Sequence, residues 1–378
     1  MGGMANTLRL VGTLSVLALT ACTSGFTPVV EPRPAFDLQG HRGGLGHVSE
    51  STLASFANGL AIGVTTLELD TQVTKDGKVV VTHDRKISDQ KCRDTAPVVP
   101  ADPDYPYVGK FIVNLTLAQI KTLDCGSLRL NNHPTQRLVP GITMPELRDV
   151  FRLVKVAGAT GVKMNIETKV EAGAPSETAP RDVFVRAVLG EITASGLESQ
   201  VTLQSFDWGA LMLVRQLKPT LPVVALTNGQ QFLQMGQPGP SPWLGGLDID
   251  DFAGVTLQSR YVAAAKSFGA SALSPVHGDP QNAQVGDPGY LAFTTPELVR
   301  EAHAAGMKVI PWTVDDERTW GALMDAGVDG IITDYPQQLR QFMDRRGYAL
   351  PRAYPLETTA LCRLIKEDPA NNRVSCTP

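Results

Sequence analysis

The stretch 307-MKVIPWTVDDERTWGALMDAGVDGIIT-333 decides the fold. An apolar run, MKVIPWTV (307–314), precedes ERTWGALMDAG, whose apolar spacing is helical and whose last glycine suits a C-cap, and a second short run, DGIIT (329–333), follows. Strand, helix and strand in that order predict parallel pairing, because a helix-length crossover returns the chain to the same end of the sheet.

The same alternation fills residues 36 to 346. Strand-like runs stand at FDLQG (36–40), TTLELDTQV (65–73), GVKMNIET (161–168), VTLQS (201–205), PVVALT (222–227) and ASALSP (270–275), making eight with the two above. Helical patterns lie between most of them: TLASFANGLAIG, MPELRDVFRLVKVAG, RDVFVRAVLGEITASG, DWGALMLVRQL and TPELVREAHAAG, with PQQLRQFMDRR closing the series. Eight units predict an α/β fold closed as a (β/α)8 TIM barrel, an architecture that uses about 250 residues. An open doubly wound sheet is disfavoured by the count and by the lack of a GxGxxG turn after an early strand.

One segment breaks the rhythm. TQVTKDGKVVVTHD carries two β-type runs around Lys75-Asp76-Gly77, so strand two should fold back as a hairpin arm that brings His83 to the barrel mouth. Residues 84–140, rich in Pro and polar residues, read as an insertion capping the mouth, with one helix near LTLAQIKTLD. Residues 347–378 read as a C-terminal tail of little periodicity.

With 43% apolar and 19% charged residues and a net charge of −4, the chain suits a soluble globular domain and excludes broad electrostatic binding to nucleic acid. Residues 1–21 have the order of a secretory signal: Arg9, an apolar run, then small residues. Their end, Leu19-Thr20-Ala21-Cys22, resembles the bacterial lipoprotein signal, which implies an exported protein tethered to a membrane by lipid on Cys22; an ordinary signal cut nearby is the alternative. Residues 22–35 read as the tether, and 36–346 as the barrel. The remaining cysteines, Cys92, Cys125, Cys362 and Cys376, suit two disulfides in an oxidising compartment. Three pairings are open, of which Cys92–Cys125 with Cys362–Cys376 closes the shortest loops.

Active sites of such barrels lie where strands end. The strand period of two puts Glu68 and Asp70 on one face of 66-TLELDTQ-72, and Asn165, Glu167 and Lys169 on one face of 164-MNIETK-169. Carboxylates aimed into one mouth need a compensating cation. Glu68, Asp70 and Glu167 are therefore either a divalent-metal site, oxygen-rich and suited to Ca²⁺ or Mg²⁺, or structural ion pairs with nearby Lys and Arg. Their company favours the metal: His41 ends strand one and His83 ends the hairpin, two imidazoles able to divide acid and base work. Arg42 and Lys169 add positive charge for a phosphate.

The ordered motifs His41-Arg42-Gly43, Ser49-Glu50-Ser51-Thr52, Glu68-Leu69-Asp70, Lys75-Asp76-Gly77, His83-Asp84, Glu167-Thr168-Lys169, Trp312-Thr313-Val314-Asp315 and Ile332-Thr333-Asp334-Tyr335-Pro336 resemble the glycerophosphodiester phosphodiesterase family from about residue 37 to 340. The resemblance implies the barrel, one Ca²⁺ or Mg²⁺ on Glu68, Asp70 and Glu167, and His41 and His83 as the acid–base pair. It also implies hydrolysis of glycerophosphodiesters, as small-molecule substrates, to glycerol 3-phosphate and an alcohol. Two departures stand out. The family's P-E-N-T segment is S-E-S-T here, leaving Glu50, with Ser49 and Thr52, as helix-start chemistry orienting the HRG loop, and the asparagine of W-T-V-N is Asp315, a further negative charge near the mouth. Trp312 walls the glycerol or head-group pocket, or belongs to the barrel core. The competing readings are a sphingomyelinase D-like or phospholipase C-like lipid phosphodiesterase, which needs an exposed apolar rim, and a surface lipoprotein that binds without turnover.

Overall fold

The structure, a computed structural model, describes residues 1–3 and 33–375. Most of the signal segment and of the tether, with Cys22 and Cys376, lie outside the described residues.

Among the described residues, eleven strands run in the order β1 (Asp37–Gly40), β2 (Thr66–Val73), β3 (Val79–Val81), β4 (Lys163–Thr168), β5 (Val201–Ser205), β6 (Val223–Thr227), β7 (Ala272–Pro275), β8 (Gly278–Asp279), β9 (Leu291–Ala292), β10 (Lys308–Val309) and β11 (Gly330–Thr333). Eight pair in parallel in the order β10-β7-β6-β5-β4-β2-β1-β11, while β8 and β9 form a separate antiparallel ribbon. The barrel closes between β10 and β11: Asp329 N donates to Val309 O at 2.9 Å, and Ile332 N to Pro311 O at 3.0 Å. The run 307–314 is regular only over Lys308–Val309. Ile310 and Trp312 still donate to β7, at 2.9 and 3.1 Å, but Pro311 faces β11 with no N–H, so there the run offers only its carbonyl, and the next donation to β11 comes from Val314 N to Ile332 O at 3.0 Å.

The helices are α1 (Leu53–Ile62), α2 (Leu117–Ile120), α3 (Leu147–Val156), α4 (Arg181–Ser195), α5 (Trp208–Leu217), α6 (Gln230–Leu233), α7 (Leu257–Ser267), α8 (Pro296–Ala304), α9 (Glu317–Asp325), α10 (Pro336–Arg345) and α11 (Thr358–Lys366). Every expected helix is present, and α7 fills the gap left between β6 and β7. Leu67, Leu69, Met164 and Ile166 turn outward and are fully buried in the barrel's helix-facing core. The barrel interior is split in character. Val224, Ala272, Ile310 and Ile332 make one side apolar. On the other side a chain of amides crosses the lumen, Asn165 Nδ2 donating to Gln39 Oε1 at 3.0 Å and to Gln204 Oε1 at 2.7 Å.

β2 and β3 pair antiparallel, Thr71 opposite Val81, across a turn closed by Thr74 N donating to Lys78 O at 2.9 Å, with Gly77 at φ 74°. Residues 84–140 build a small second core from Ile87, Tyr107, Ile112, Leu115, Ile120 and Leu123, joined by Val80 of β3 and by Met144, beside a disulfide between Cys92 and Cys125. Cys362 is also disulfide-bonded. The tail is structured rather than aperiodic: α11 buries Leu364 and Ile365, and Asn371 Oδ1 accepts from Thr143 N at 2.9 Å.

Candidate active site

β2 and β4 lie in a register that sets Glu68 opposite Asn165 and Asp70 opposite Glu167. Because alternate residues share a face, all three acids point into the lumen, where each is at most 5% exposed. One oxygen from each lies within 4.8 Å of the others. Glu68 is held on both sides, Oε1 accepting from Gln204 Nε2 at 2.8 Å and Oε2 from Arg42 N at 3.0 Å. Asp70 Oδ2 is buried without a hydrogen-bond partner among the described residues, 3.2 Å from Arg42 Nε but out of line with it. A buried, unpartnered oxygen in a three-carboxylate set is what a hard divalent cation requires, so the residues fit such an ion.

Past β1 the chain makes a single tight turn, 41–43, in which Arg42 takes φ 50°, a left-handed conformation rare for a non-glycine residue. The turn aims the Arg42 amide at Glu68. Gly43, at φ 85°, runs against α1, where a Cβ would come within 2.8 Å of Phe56 N, so no larger residue fits. The Arg42 guanidinium reaches Glu50 at 3.1 and 3.2 Å. Glu50 therefore serves Arg42 rather than the helix start, since the N-cap of α1 is Thr52, in a capping box with Ser55. Lys169 Nζ lies 3.0 Å from Glu167, with the face of Phe206 5.5 Å away.

The two histidines are each backed by a carboxylate. His41 Nδ1 sits 2.5 Å from Asp334 Oδ1, and His83 Nδ1 sits 2.7 Å from Asp84 Oδ1. Neither Nε2 has a protein partner among the described residues. A cavity of about 690 Å³ brings together His41, Arg42, Glu68, Asp70, His83, Glu167, Lys169 and Trp312. Trp312 both walls this cavity and is anchored in the barrel, its Nε1 donating to Ser274 O at 3.0 Å. An adjoining groove of about 860 Å³ shares His83, Glu167 and Lys169 and runs out between Phe111 and the aromatic trio Phe206, Phe232 and Trp243.

Five residues here escaped the sequence reading as site residues. Asp84 stood in the H-D motif and Asp334 in the I-T-D-x-P motif without a role, and Gln204 has only the strand period to recommend it. His133 and Lys91 come from the aperiodic 84–140 segment. His133 Nε2 lies 2.9 Å from Asp334 Oδ2, and Lys91 Nζ lies 2.8 Å from Asp84 Oδ2.

The model of the glycerophosphoryl diester phosphodiesterase family matches residues 41–338. The chain belongs to the glycerophosphoryl diester phosphodiesterase family. The chain is 29% identical over 314 residues to the glycerophosphodiester phosphodiesterase of Bacillus subtilis (strain 168), covering 82% of this chain and 86% of that one. It is 27% identical over 308 residues to that of Caldanaerobacter subterraneus subsp. tengcongensis, covering 81% and 97%. A solved structure of a provisionally named glycerophosphoryl diester phosphodiesterase from Silicibacter pomeroyi DSS-3 superposes with a TM-score of 0.66 at 28% identity, covering 85% and 96%. The fold is shared as well with an Oleispira antarctica phosphodiesterase solved with the product sn-glycerol-3-phosphate, at TM-score 0.56 and 21% identity, covering 82% and 97%.

Within this family site the electrostatics follow from burial. Burial and the charge of Asp70 push Glu68 well above the carboxylate range, and burial takes Glu167 up to about 7 against the pull of Lys169. Burial also opposes charge on Asp70, but the neighbouring His83, then Lys169 and Arg42, outweigh it and hold Asp70 low. The triad thus lacks a positive charge that a divalent ion would bring. Burial, then Arg42 and Lys169, depress His83 well below its ordinary value, which keeps it neutral. Burial disfavours the Asp334 anion, yet His41 and His133 outweigh it and keep Asp334 ionised. Asp315 is pushed the other way by burial and by Asp334, so it adds less negative charge than its side chain suggests.

Proposed function

We propose that the chain hydrolyses glycerophosphodiesters to glycerol 3-phosphate and an alcohol in a metal-dependent reaction with two histidines as acid and base. One observation carries the reading. Two imidazoles, each with Nδ1 fixed on a carboxylate and Nε2 left to the cavity, flank three buried carboxylates that need a cation. The product bound to the Oleispira antarctica relative supports glycerol 3-phosphate as the retained half.

Glu68, Asp70 and Glu167 would hold one Ca²⁺ or Mg²⁺, which when bound neutralises charge on the phosphoryl oxygens. Gln204 and the Arg42 amide keep Glu68 in place, and Lys169 adds positive charge beside Glu167. His83, held neutral, accepts at Nε2 the proton of the attacking oxygen, whether of water or of the glycerol itself. His41 delivers a proton from Nε2 to the departing alkoxide as the P–O bond breaks; when water attacks this completes the hydrolysis, and when the glycerol hydroxyl attacks it leaves a cyclic phosphate that a water, deprotonated and protonated by the same two histidines in exchanged roles, then opens. Arg42, locked on Glu50 and Asp70, shapes the site, and Trp312 offers an apolar wall to the glycerol carbons. The test is release of glycerol 3-phosphate from glycerophosphocholine by the purified mature chain, with and without a chelator. Release that persists after the metal is stripped and excluded removes metal dependence; no release removes the activity.

A second reading, a related lipid phosphodiesterase, draws on the adjoining groove, whose Phe111, Phe206, Phe232 and Trp243 form the apolar rim such an enzyme needs. Turnover of the lysolipid above that of glycerophosphocholine would favour it. We also propose the lipid anchor at Cys22, which would face the domain to the periplasm or cell exterior. None of the described helices is long and apolar enough to cross a membrane. Intact mass after detergent extraction tests the anchor, and an unmodified terminus elsewhere ends it.

A further inference from the structure

Both carboxylates that orient the histidines have their outer oxygen gripped by the 84–140 segment. Asp334 gives Oδ1 to His41 and Oδ2 to His133, at 2.5 and 2.9 Å. Asp84 gives Oδ1 to His83 and Oδ2 to Lys91, at 2.7 and 2.8 Å. The same arrangement thus occurs twice around one cavity, and both gripping residues come from a segment that belongs to no barrel strand or barrel helix.

His133 lines the cavity, yet it is not placed for proton transfer to a substrate. Its second nitrogen, Nδ1, is 2.9 Å from Asn132 Oδ1, so both ring nitrogens meet protein oxygens. Its ring stacks on Tyr335, the residue after Asp334, with centroids 5.9 Å apart, and its side chain is 6% exposed. Lys91 is tied as firmly: its Nζ also meets Glu50 at 2.7 Å, Glu50 holds Arg42, and the next residue is the disulfide-bonded Cys92.

We infer that Lys91 and His133 are positioning residues for catalysis, and that the 84–140 segment is a working part of the active site because it fixes the two carboxylates that aim His41 and His83. A carboxylate held by one oxygen can turn about its last bond and carry the imidazole with it. Held by both oxygens it cannot, and the imidazole Nε2 stays aimed within the narrow tolerance that proton transfer needs. The inference rests on the roles proposed above for the two histidines.

The experiment uses the full mature chain with its metal and glycerophosphocholine as substrate. His133→Leu and Lys91→Met should each lower kcat about tenfold, less than the 10²–10⁴ of general acid–base catalysis itself, with KM within about twofold of the parent value. His133→Gln and Lys91→Arg, which keep a donor, should recover most of the loss. The low-field proton signal of each Nδ1–H adds a readout that general loosening would not separate: His133→Leu should move the His41 signal alone, and Lys91→Met the His83 signal alone. Unchanged kcat, a loss confined to KM, equal loss in the Gln and Arg variants, or signals that move together would overturn the inference. If thermal melting finds a Leu or Met variant unfolded, the Gln and Arg variants and their spectra decide. Absence of turnover in the parent protein would remove the proposed activity, and the two signals would still report whether the carboxylates are held as inferred.

Discussion

Asp70 and Glu167 face each other across the β2–β4 pair, and Lys169 Nζ spans them at 3.9 and 3.0 Å. That ammonium and the Arg42 guanidinium, itself shared with Glu50, stand against three buried acids, a ratio that leaves the lumen short of positive charge. Replacing Glu68, Asp70 or Glu167 with Ala should therefore weaken metal binding and turnover together. His41→Ala and His83→Ala should keep most of the metal affinity and lose about 10²–10⁴ in rate. Calorimetric metal titration beside phosphodiester hydrolysis checks the division; histidine variants that lost the metal while carboxylate variants kept it would reverse it.

Proton and metal compete for the same oxygens. Burial places Glu167 at about 7, so below that pH its carboxyl is protonated and an ion must displace the proton to bind. Metal affinity is expected to rise from pH 6 to pH 8, with proton release on binding at the lower pH. Titrations in buffers of different ionisation enthalpy measure that release directly, and an affinity flat across this range would contradict the expectation.

Asp315 stands where the family pattern has asparagine. Its Oδ1 accepts from Thr333 Oγ1 at 2.9 Å and from Asp334 N at 2.8 Å, contacts that an asparagine oxygen keeps. Burial and the neighbouring Asp334 raise Asp315 well above its ordinary 3.8. Between that value and the raised one the folded chain binds more protons than the unfolded chain, so this group makes stability fall as pH rises through the window. Asp315→Asn removes the slope. The variant should gain on the order of 1 kcal/mol at neutral pH and nothing below about pH 4, read from urea unfolding at the two values.

Cys92 and Cys125 close a loop with a sequence separation of 33. On the chain-entropy model the bond stabilises by roughly 3–4 kcal/mol. The double replacement by Ala should lower the urea midpoint accordingly, and an unchanged midpoint would mean that the 84–140 core holds without its staple.

The barrel was legible because a period of two and a period of 3.6 alternate along the chain, and the acids of β2 and β4 were legible because the same period of two fixes their face. The helix α7 was not, since LQSRYVAAAKS carries its buried stripe on Tyr261, Val262 and small alanines, which give little periodic contrast. Lys91 and His133 were hidden for a different reason. They lie in a stretch without periodicity, and His133 meets a carboxylate 201 positions away that nothing local announces. The S-E-S-T reading divides in the structure: Thr52 starts α1 in a capping box with Ser55, and Glu50 acts on the HRG loop through Arg42 and takes no part in the cap.

β1 lies between β2 and β11, so the first strand of the barrel is flanked by the last. During synthesis His41 precedes Asp334 by 293 residues, roughly 15–60 s at ribosomal speed. A nascent chain that has reached Glu167 already carries every proposed metal ligand and both histidines. It still lacks the carboxylate that steadies His41 until the final strand docks. A phosphodiesterase assembled in this order acquires the second of its two orienting carboxylates last, which ties the aim of His41 to docking of the final strand.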